Sequence, residues 1–469
     1  MPESSENPVS AAGGSFDIVI LGGGSGGYAC ALRAAELGLS VALVEQDKVG
    51  GTCLHMGCIP TKALLHAAEV ADAARDGEQF GVRASFEGID MTGVNAYKDQ
   101  VVGRLYKGLQ GLVKSRGITF VEGTGHLVSA TTVRVGDAEY TGRNVVLATG
   151  SYARTLPGLE IDGGRVVTSD HALHLDYVPR SAVVLGGGVI GVEFASVWRS
   201  FGAQVTIVEA LPHLVPLEDE SSSKLLERAF RKRGINFELG ALFASVQHTA
   251  TGITVSLENG KSFDADLLLV AVGRGPVSDN LGYTEAGIAI DRGFVEVDEF
   301  CRTSVPGVYA VGDLIPTPQL AHVGFAEGIL VAEHIGGLAP RPIDYDGVPR
   351  IAYCEPEVAS VGITESAAVQ RYGEDKVRTL TYDLAGNGKS QILKTAGAVK
   401  LVSVADGPVV GVHMVGARVG ELLAEAQLIY NWEAYADDVA ALIHPHPTQS
   451  EAVGEAHLAL AGKPLHSHG

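Results

Sequence analysis

Two cysteines five positions apart, Cys53 and Cys58, sit in the stretch Gly50-Gly51-Thr52-Cys53-Leu54-His55-Met56-Gly57-Cys58-Ile59-Pro60-Thr61-Lys62. A Cys-x4-Cys pair can be a structural pair, half of a zinc site or a redox dithiol. Zinc takes about four ligands; no second cysteine pair follows, and His55 and His66 are the only near candidates, so no metal is expected. Cys58 comes just before Ile59-Pro60 and a helical stretch expected over 61–74. Its sulfur should therefore lie near a helix N-terminus, where unsatisfied N–H groups and the dipole stabilise a thiolate. Lys62 adds a cation one turn away. Those are the requirements of a redox-active sulfur.

A second constellation closes the chain, His444-Pro445-His446-Pro447-Thr448-Gln449-Ser450-Glu451. A histidine held between two prolines has a constrained backbone, which suits a positioned acid–base group with an unperturbed pKa of about 6.5. Thr448-x-x-Glu451 also reads as a capping box opening the last helix, a role compatible with Glu451 orienting His446. His444 carries no comparable constraint and ranks below it. Glu193 is the one charge in the apolar stretch 182–198. A buried carboxylate needs a partner, and Lys62 is the candidate.

The elements that must position these groups are α/β. A strand over 16–21 leads into Gly22-Gly23-Gly24-Ser25-Gly26-Gly27, a helix over 28–37 and a strand over 41–44 ending in Glu45. This is G-x-G-x-x-G in its required context. Gly22 makes the turn, Gly24 admits a pyrophosphate at the helix N-terminus, Gly27 permits close packing, and Glu45 is placed to accept from ribose hydroxyls. The unit recurs 164 residues on, with Gly186, Gly188, Gly191 and Glu209, and each glutamate follows its first glycine by 23 residues. Two matched copies imply two dinucleotide sites. Glu209, without a nearby arginine pair, favours NAD over NADP because a carboxylate repels a 2′-phosphate. Strands over 145–147, 267–272 and 308–312 end at Thr149-Gly150-Ser151, Gly273 and Asp313, which suggests one nucleotide domain inserted in another. After Pro340-Arg341-Pro342 the pattern turns α+β, with no third fingerprint.

The totals agree. With 469 residues, 60 glycines, 46% apolar and 19% charged residues, the chain is long enough for about three domains of an α/β enzyme. A net charge of −20 without basic runs argues against nucleic acid and anionic membrane as partners. Five cysteines do not make a secreted disulfide framework, and no signal peptide or membrane span is legible, so a cytoplasmic location is expected. Cys30, Cys301 and Cys354 read as core thiols.

In these motifs the chain resembles the pyridine nucleotide–disulfide oxidoreductases, most of all their dihydrolipoamide dehydrogenase branch. Gly-Gly-Thr-Cys-x4-Cys-Ile-Pro-x-Lys, two fingerprints, Tyr-Ala-x-Gly-Asp at 309–313, Leu320-Ala321-His322 and His-Pro-Thr-x-x-Glu at 446–451 occur in family order. The resemblance implies a disordered tail over 1–15 and an FAD-binding domain over 16–152 and, as a central second part, 278–347. An NAD-binding domain over 153–277 and an interface domain over 348–469 complete it. It implies FAD along the first fingerprint, held by Glu45, Lys62, Asp313 and Leu320-Ala321-His322, with Gly51, Thr52, Gly125, Thr149, Gly150 and Ser151 in the same set. NAD would lie along the second, with Glu209, Gly273 and the Lys62–Glu193 pair. Cys53 would be the interchange thiol, Cys58 the thiol nearest flavin, and His446, oriented by Glu451 and contributed by the other subunit of a homodimer, the base.

The implied activity is reoxidation of dihydrolipoamide on the lipoyl domain of a 2-oxoacid dehydrogenase or glycine-cleavage complex. A glutathione-type or mycothiol-type reductase and a flavoprotein redox sensor without turnover are the alternatives. His55-Met56 departs from the Asn-Val common in the family, and Thr61 from its usual serine.

Overall fold

Near-continuous apolar runs such as Ile18-Val19-Ile20 and Val183-Val184-Leu185 build strands covered on both faces, and their side chains are essentially inaccessible. In the computed structural model, which describes residues 13–466, they form parallel sheets. The tail expected over 1–15 lies outside the described residues as far as residue 12, and Ser15 already opens the first strand, Ser15–Leu21. By contact density the chain divides into two units. One runs to Pro60 and continues as Asp99–Tyr152 and Arg274–Ile343; the other is Thr61–Lys98, Ala153–Gly273 and the chain from Asp344 on.

In the first unit the strands order as Thr119–Glu122, Val41–Glu45, Ser15–Leu21 and Ala138–Leu147, all parallel, and Val308–Ala310 adds in parallel to the end of the last. Gly22, Thr149-Gly150-Ser151 and Gly312-Asp313 therefore leave the carboxyl ends of three adjacent strands. That is the edge at which open α/β sheets bind ligands. Helices Ser25–Glu36 and Ala321–Ile335 cross closely because Gly328 has no side chain: a Cβ there would stand 2.3 Å from Gly26 O.

The second unit repeats the design. Its parallel sheet orders as Ile235–Leu239, Gln204–Glu209, Ser181–Leu185, Leu267–Val270 and Val166–Thr168. An antiparallel sheet of Arg350–Ala352, Glu357–Gly362, Val409–Gly416, Ala398–Val404 and Val377–Asp383 follows. Helices Leu423–Asn431 and Glu451–Leu460 pack on it through Ala426, Val453 and Ala456.

The two glycine turns superpose in their hydrogen bonding. Gly22 N–H donates to Val44 O and Gly186 N–H to Val208 O, both at 2.8 Å. Only the first glycine of each needs a left-handed backbone, φ +111° at Gly22 and +110° at Gly186. The third is required for room: a Cβ on Gly27 or Gly191 would meet the first glycine's carbonyl oxygen at 1.9 Å. The helix expected from residue 28 therefore begins at Ser25, because Gly26 and Gly27 are helical residues that lack side chains for packing rather than turn residues.

A Cβ on Gly188, by contrast, would meet no atom within 4 Å. Gly191→Ala is expected to lose about 1–3 kcal/mol or more by overpacking. Gly188→Ala should stay within about 0.5 kcal/mol of the parent. Urea unfolding of the two variants checks this.

Candidate active site

Gly51–His55 is a short helix carrying Cys53, and Cys58 opens the 19-residue helix Cys58–Asp76. That helix was expected from residue 61. It starts earlier because Pro60 in a first turn removes only an N–H that would be unsatisfied anyway. Cys58 thus belongs to the first turn itself, where the dipole favours a thiolate. Lys62 follows in the same helix.

Gly50 and Gly51 both have left-handed backbones, φ +112° and +56°. Gly50 N–H donates to Gly23 O at 2.8 Å, and a Cβ on Gly51 would stand 2.6 Å from Gly24 Cα. The cysteine segment is thereby docked, backbone to backbone, on the first glycine turn. His55 Nε2 donates to Val49 O at 3.0 Å, with its ring edge-on to Tyr106 at 5.0 Å. Tyr28, which the sequence did not single out, stands beside the pair: burial first, and then the charges of Cys53 and Cys58, push its hydroxyl up to about 12. Cys30, Cys301 and Cys354 are buried, and burial pushes all three thiols up, Cys30 to about 12.

At the first turn Glu45 accepts from Gly23 N–H at 2.7 Å and from Asp47 N–H at 2.9 Å. It holds the turn closed, and each carboxylate oxygen has a second lone pair beyond these bonds. Asp313 accepts from Ser151 Oγ at 2.5 Å, and Arg274 Nε donates to the same hydroxyl at 2.7 Å. Thr149 Oγ1 donates to Val277 O at 2.6 Å. Gly125 begins a strand and serves packing, since a Cβ there would stand 2.4 Å from Leu21 Cδ1. Leu320 caps the helix Ala321–Ile335, of which Ala321 and His322 are the first residues. Glu327, fully buried, accepts from Gly312 N–H and Thr317 Oγ1 at 2.6 and 2.7 Å and fixes the turn carrying Asp313. Sequence reasoning passed over Glu327, although it is a carboxylate among apolar neighbours, the same signal that picked out Glu193.

At the second turn Glu209 accepts from Gly187 and Leu211 N–H at 2.5 and 2.8 Å, the same arrangement as Glu45. Gly273, φ +105°, follows the strand Leu267–Val270. Lys62 Nζ reaches Glu193 at 2.8 and 2.9 Å, so those charges do pair, the carboxylate side chain being 3% exposed. Tyr353 completes the group: its N–H donates to Glu193 at 3.0 Å, and its ring lies 4.7 Å from Lys62 Nζ. Nothing in the sequence marked Tyr353.

His446 Nδ1 lies 2.7 Å from Glu451 Oε1, with the imidazole 76% exposed. The capping box is half made. Thr448 N–H donates to Glu451 Oε2 at 2.8 Å, but the Thr448 hydroxyl goes to Pro445 O at 2.7 Å instead of to the helix. The cause is that Ser450 is the N-cap, which leaves Thr448 two residues too early. His444 is paired elsewhere, with Glu425 at 2.7 Å. Asn387 Nδ2 donates to Thr448 O at 2.9 Å and steadies the loop.

Both glycine turns open into helices whose N-caps, Gly24 and Gly188, have extended backbones and no capping side chain, and where an added Cβ would meet nothing. Such bare N–H groups at an uncrowded turn fit a dinucleotide pyrophosphate.

Residues 16–328 match the family described as Pyridine nucleotide-disulphide oxidoreductase, and residues 348–457 match its dimerisation domain. The chain belongs to this family. FAD and NAD are its cofactors. It is 40% identical, over 96% of its length and 99% of the relative's, to dihydrolipoyl dehydrogenase of Bacillus subtilis. It is 38% identical, over 96% of its length and 88% of the relative's, to leghemoglobin reductase of Vigna unguiculata. Among solved structures, LpdA of Mycobacterium tuberculosis superposes with a TM-score of 0.88 at 28% identity, covering 94% of this chain and 99% of that one. The HOCl-induced flavoprotein disulfide reductase RclA of Escherichia coli, in its Cu(II) complex, gives 0.86 at 26%, covering 95% and 100%. Among the described residues no helix is long and apolar enough to cross a membrane.

Burial pulls the Glu451 carboxyl up, while the Thr448 N–H and the His446 imidazole outweigh it, so its pKa lies below the ordinary carboxylate value. A depressed folded-state pKa adds stability that is complete above the unfolded value, about 4.3, and fades as pH falls through the folded one. Glu451→Ala should therefore cost about 1 kcal/mol near neutrality. That difference should shrink as pH drops through the range below 4; parallel urea melts at several pH values check it.

Proposed function

We propose that the protein is a dihydrolipoyl dehydrogenase, working as a homodimer in the cytoplasm on the lipoyl domain of a 2-oxoacid dehydrogenase or glycine-cleavage complex. The observation that carries this reading is the 40% identity, over nearly the whole of both chains, to dihydrolipoyl dehydrogenase of Bacillus subtilis. Tyr28, which shares the electrostatic field of Cys53 and Cys58, also lines a groove with Leu32, Leu112, Phe325 and Ile329. Arg33 in that groove is taken up by Glu333 at 2.6 Å and Glu36 at 3.3 Å. The groove is lined mainly by apolar side chains, with Glu36 and Arg116 beside Arg33, and such a surface suits an apolar lipoyl arm.

In the reaction, His446, its Nδ1 held by Glu451, accepts a proton at Nε2 from one thiol of dihydrolipoamide. The resulting thiolate attacks Cys53 Sγ, the Cys53–Cys58 bond breaks, and the electron pair leaves on Cys58, where the helix N-terminus stabilises it. The second substrate thiolate then displaces Cys53, its proton passing to solvent, and lipoamide departs. FAD, held along the first glycine turn with Glu45 and Asp313, would supply a two-electron acceptor for the dithiol, and NAD, held along the second with Glu209, a hydride acceptor. Lys62 Nζ, donating to both oxygens of the buried Glu193 side chain, holds that side chain in place within the second unit.

The purified flavoprotein should reduce NAD with dihydrolipoamide and leave glutathione disulfide untouched with either nicotinamide. No lipoamide turnover from a fully flavin-loaded dimer would reject the assignment. His446→Ala is expected to lower kcat about 100- to 10,000-fold, and Cys53→Ser to abolish turnover with FAD retained. Near-normal turnover of the first variant would remove His446 from the chemistry.

A further inference from the structure

The family match ends at residue 457, yet the chain after Gly462 returns to the helix that carries Glu451. His466 makes two bonds to one carboxylate. Its backbone N–H donates to Glu455 Oε2 at 3.1 Å, and its Nδ1 lies 2.8 Å from Glu455 Oε1. A Cβ on Gly386 would find the His466 carbonyl oxygen at 3.4 Å and the Tyr382 hydroxyl at 3.1 Å, so the tail fits where that glycine has no side chain.

Glu455 is four residues beyond Glu451 in the helix Glu451–Leu460 and shares its face. Its side chain is only 10% exposed, so its charge is poorly screened, and the His466 seated on it helps to lower the Glu451 carboxyl. The charged and titratable groups around this helix face are Glu451 and Glu455 on the helix, Tyr382 and Asp383 on the strand Val377–Asp383, His446 on the loop before the helix, and, over Gly454, His444 with its partner Glu425 on the helix Leu423–Asn431. Burial, then Glu455, Glu451 and Asp383, push the Tyr382 hydroxyl up to about 12, which marks the region as net negative. His466 is the group from the tail that reaches it, a cation whenever its imidazole is protonated. As an ion pair with a side chain 64% exposed, His466 adds little to stability, so its effect should appear in titration.

We propose that His466 is a positioning residue for the His446–Glu451 pair: its imidazolium, seated on Glu455, offsets the second carboxylate of that helix face and sets the pH at which His446 can accept a proton. This rests on the reading of His446 as the base. The sign follows from charge. Removing a cation near Glu451 leaves a more negative surrounding, favours protonated His446, and moves the onset of its basicity to higher pH.

Two readouts on the FAD-loaded protein test it at low ionic strength. One is the acid limb of kcat/KM for dihydrolipoamide. The other, independent of turnover, is the pH dependence of diethyl pyrocarbonate modification of His446, followed by peptide mass spectrometry. His466→Ala should move both midpoints up by roughly 0.2–0.5 pH units, with the shift collapsing near 1 M salt. His466→Lys should hold both at or below the parent value. Unmoved midpoints in His466→Ala, or an equal upward shift in His466→Lys, would overturn the proposal. If the parent turns over no dihydrolipoamide, the assignment of function fails, while the modification profile still decides the role of His466.

Discussion

The structure depends on one close approach of backbone to backbone. Gly51 sits so near Gly24 that no Cβ fits between them, and Gly50 donates its N–H to Gly23. Through this contact the segment holding Cys53 is fastened to the first glycine turn, rather than hung from a side chain with rotamers to lose. Reactivity between a sulfur and a bound cofactor falls steeply with misplacement of about an ångström. Fixing the sulfur by main chain is therefore a direct way to hold the distance. Two consecutive left-handed residues are the requirement, and glycine meets it without steric cost.

The same economy appears in the doubled turn. Glu45 and Glu209, read from the sequence as ribose ligands, each clamp the second glycine of their own turn. One carboxylate thus shapes each turn. This explains why the spacing between first glycine and glutamate is the same in both copies: the carboxylate must reach back to a fixed N–H, and strand and helix lengths cannot drift without breaking that bond.

Much of this was legible from residue types. The paired turns, their strands and the Lys62–Glu193 pair announce themselves because glycine spacing and a lone charge in an apolar stretch have few physical explanations. What stayed hidden was tertiary. Tyr353 reaches Glu193 through its backbone N–H, a group that every residue but proline carries. Tyr28 is one aromatic in a helix until the fold sets it beside the thiols. The early start of the Cys58 helix was masked by Pro60, read as a boundary when it is a first-turn residue. The capping box failed by a two-residue offset, a margin that sequence patterns rarely resolve. Glu327 could have been found by the argument that found Glu193.

Gly51→Ala tests the central claim most directly, read as FAD bound per chain and, in stopped flow, as the rate at which dihydrolipoamide bleaches the flavin. If the backbone contact with Gly24 delivers the dithiol, the variant should lose FAD or, where FAD remains, show bleaching slowed about 100-fold or more. Full FAD content with a parental bleaching rate would contradict the account.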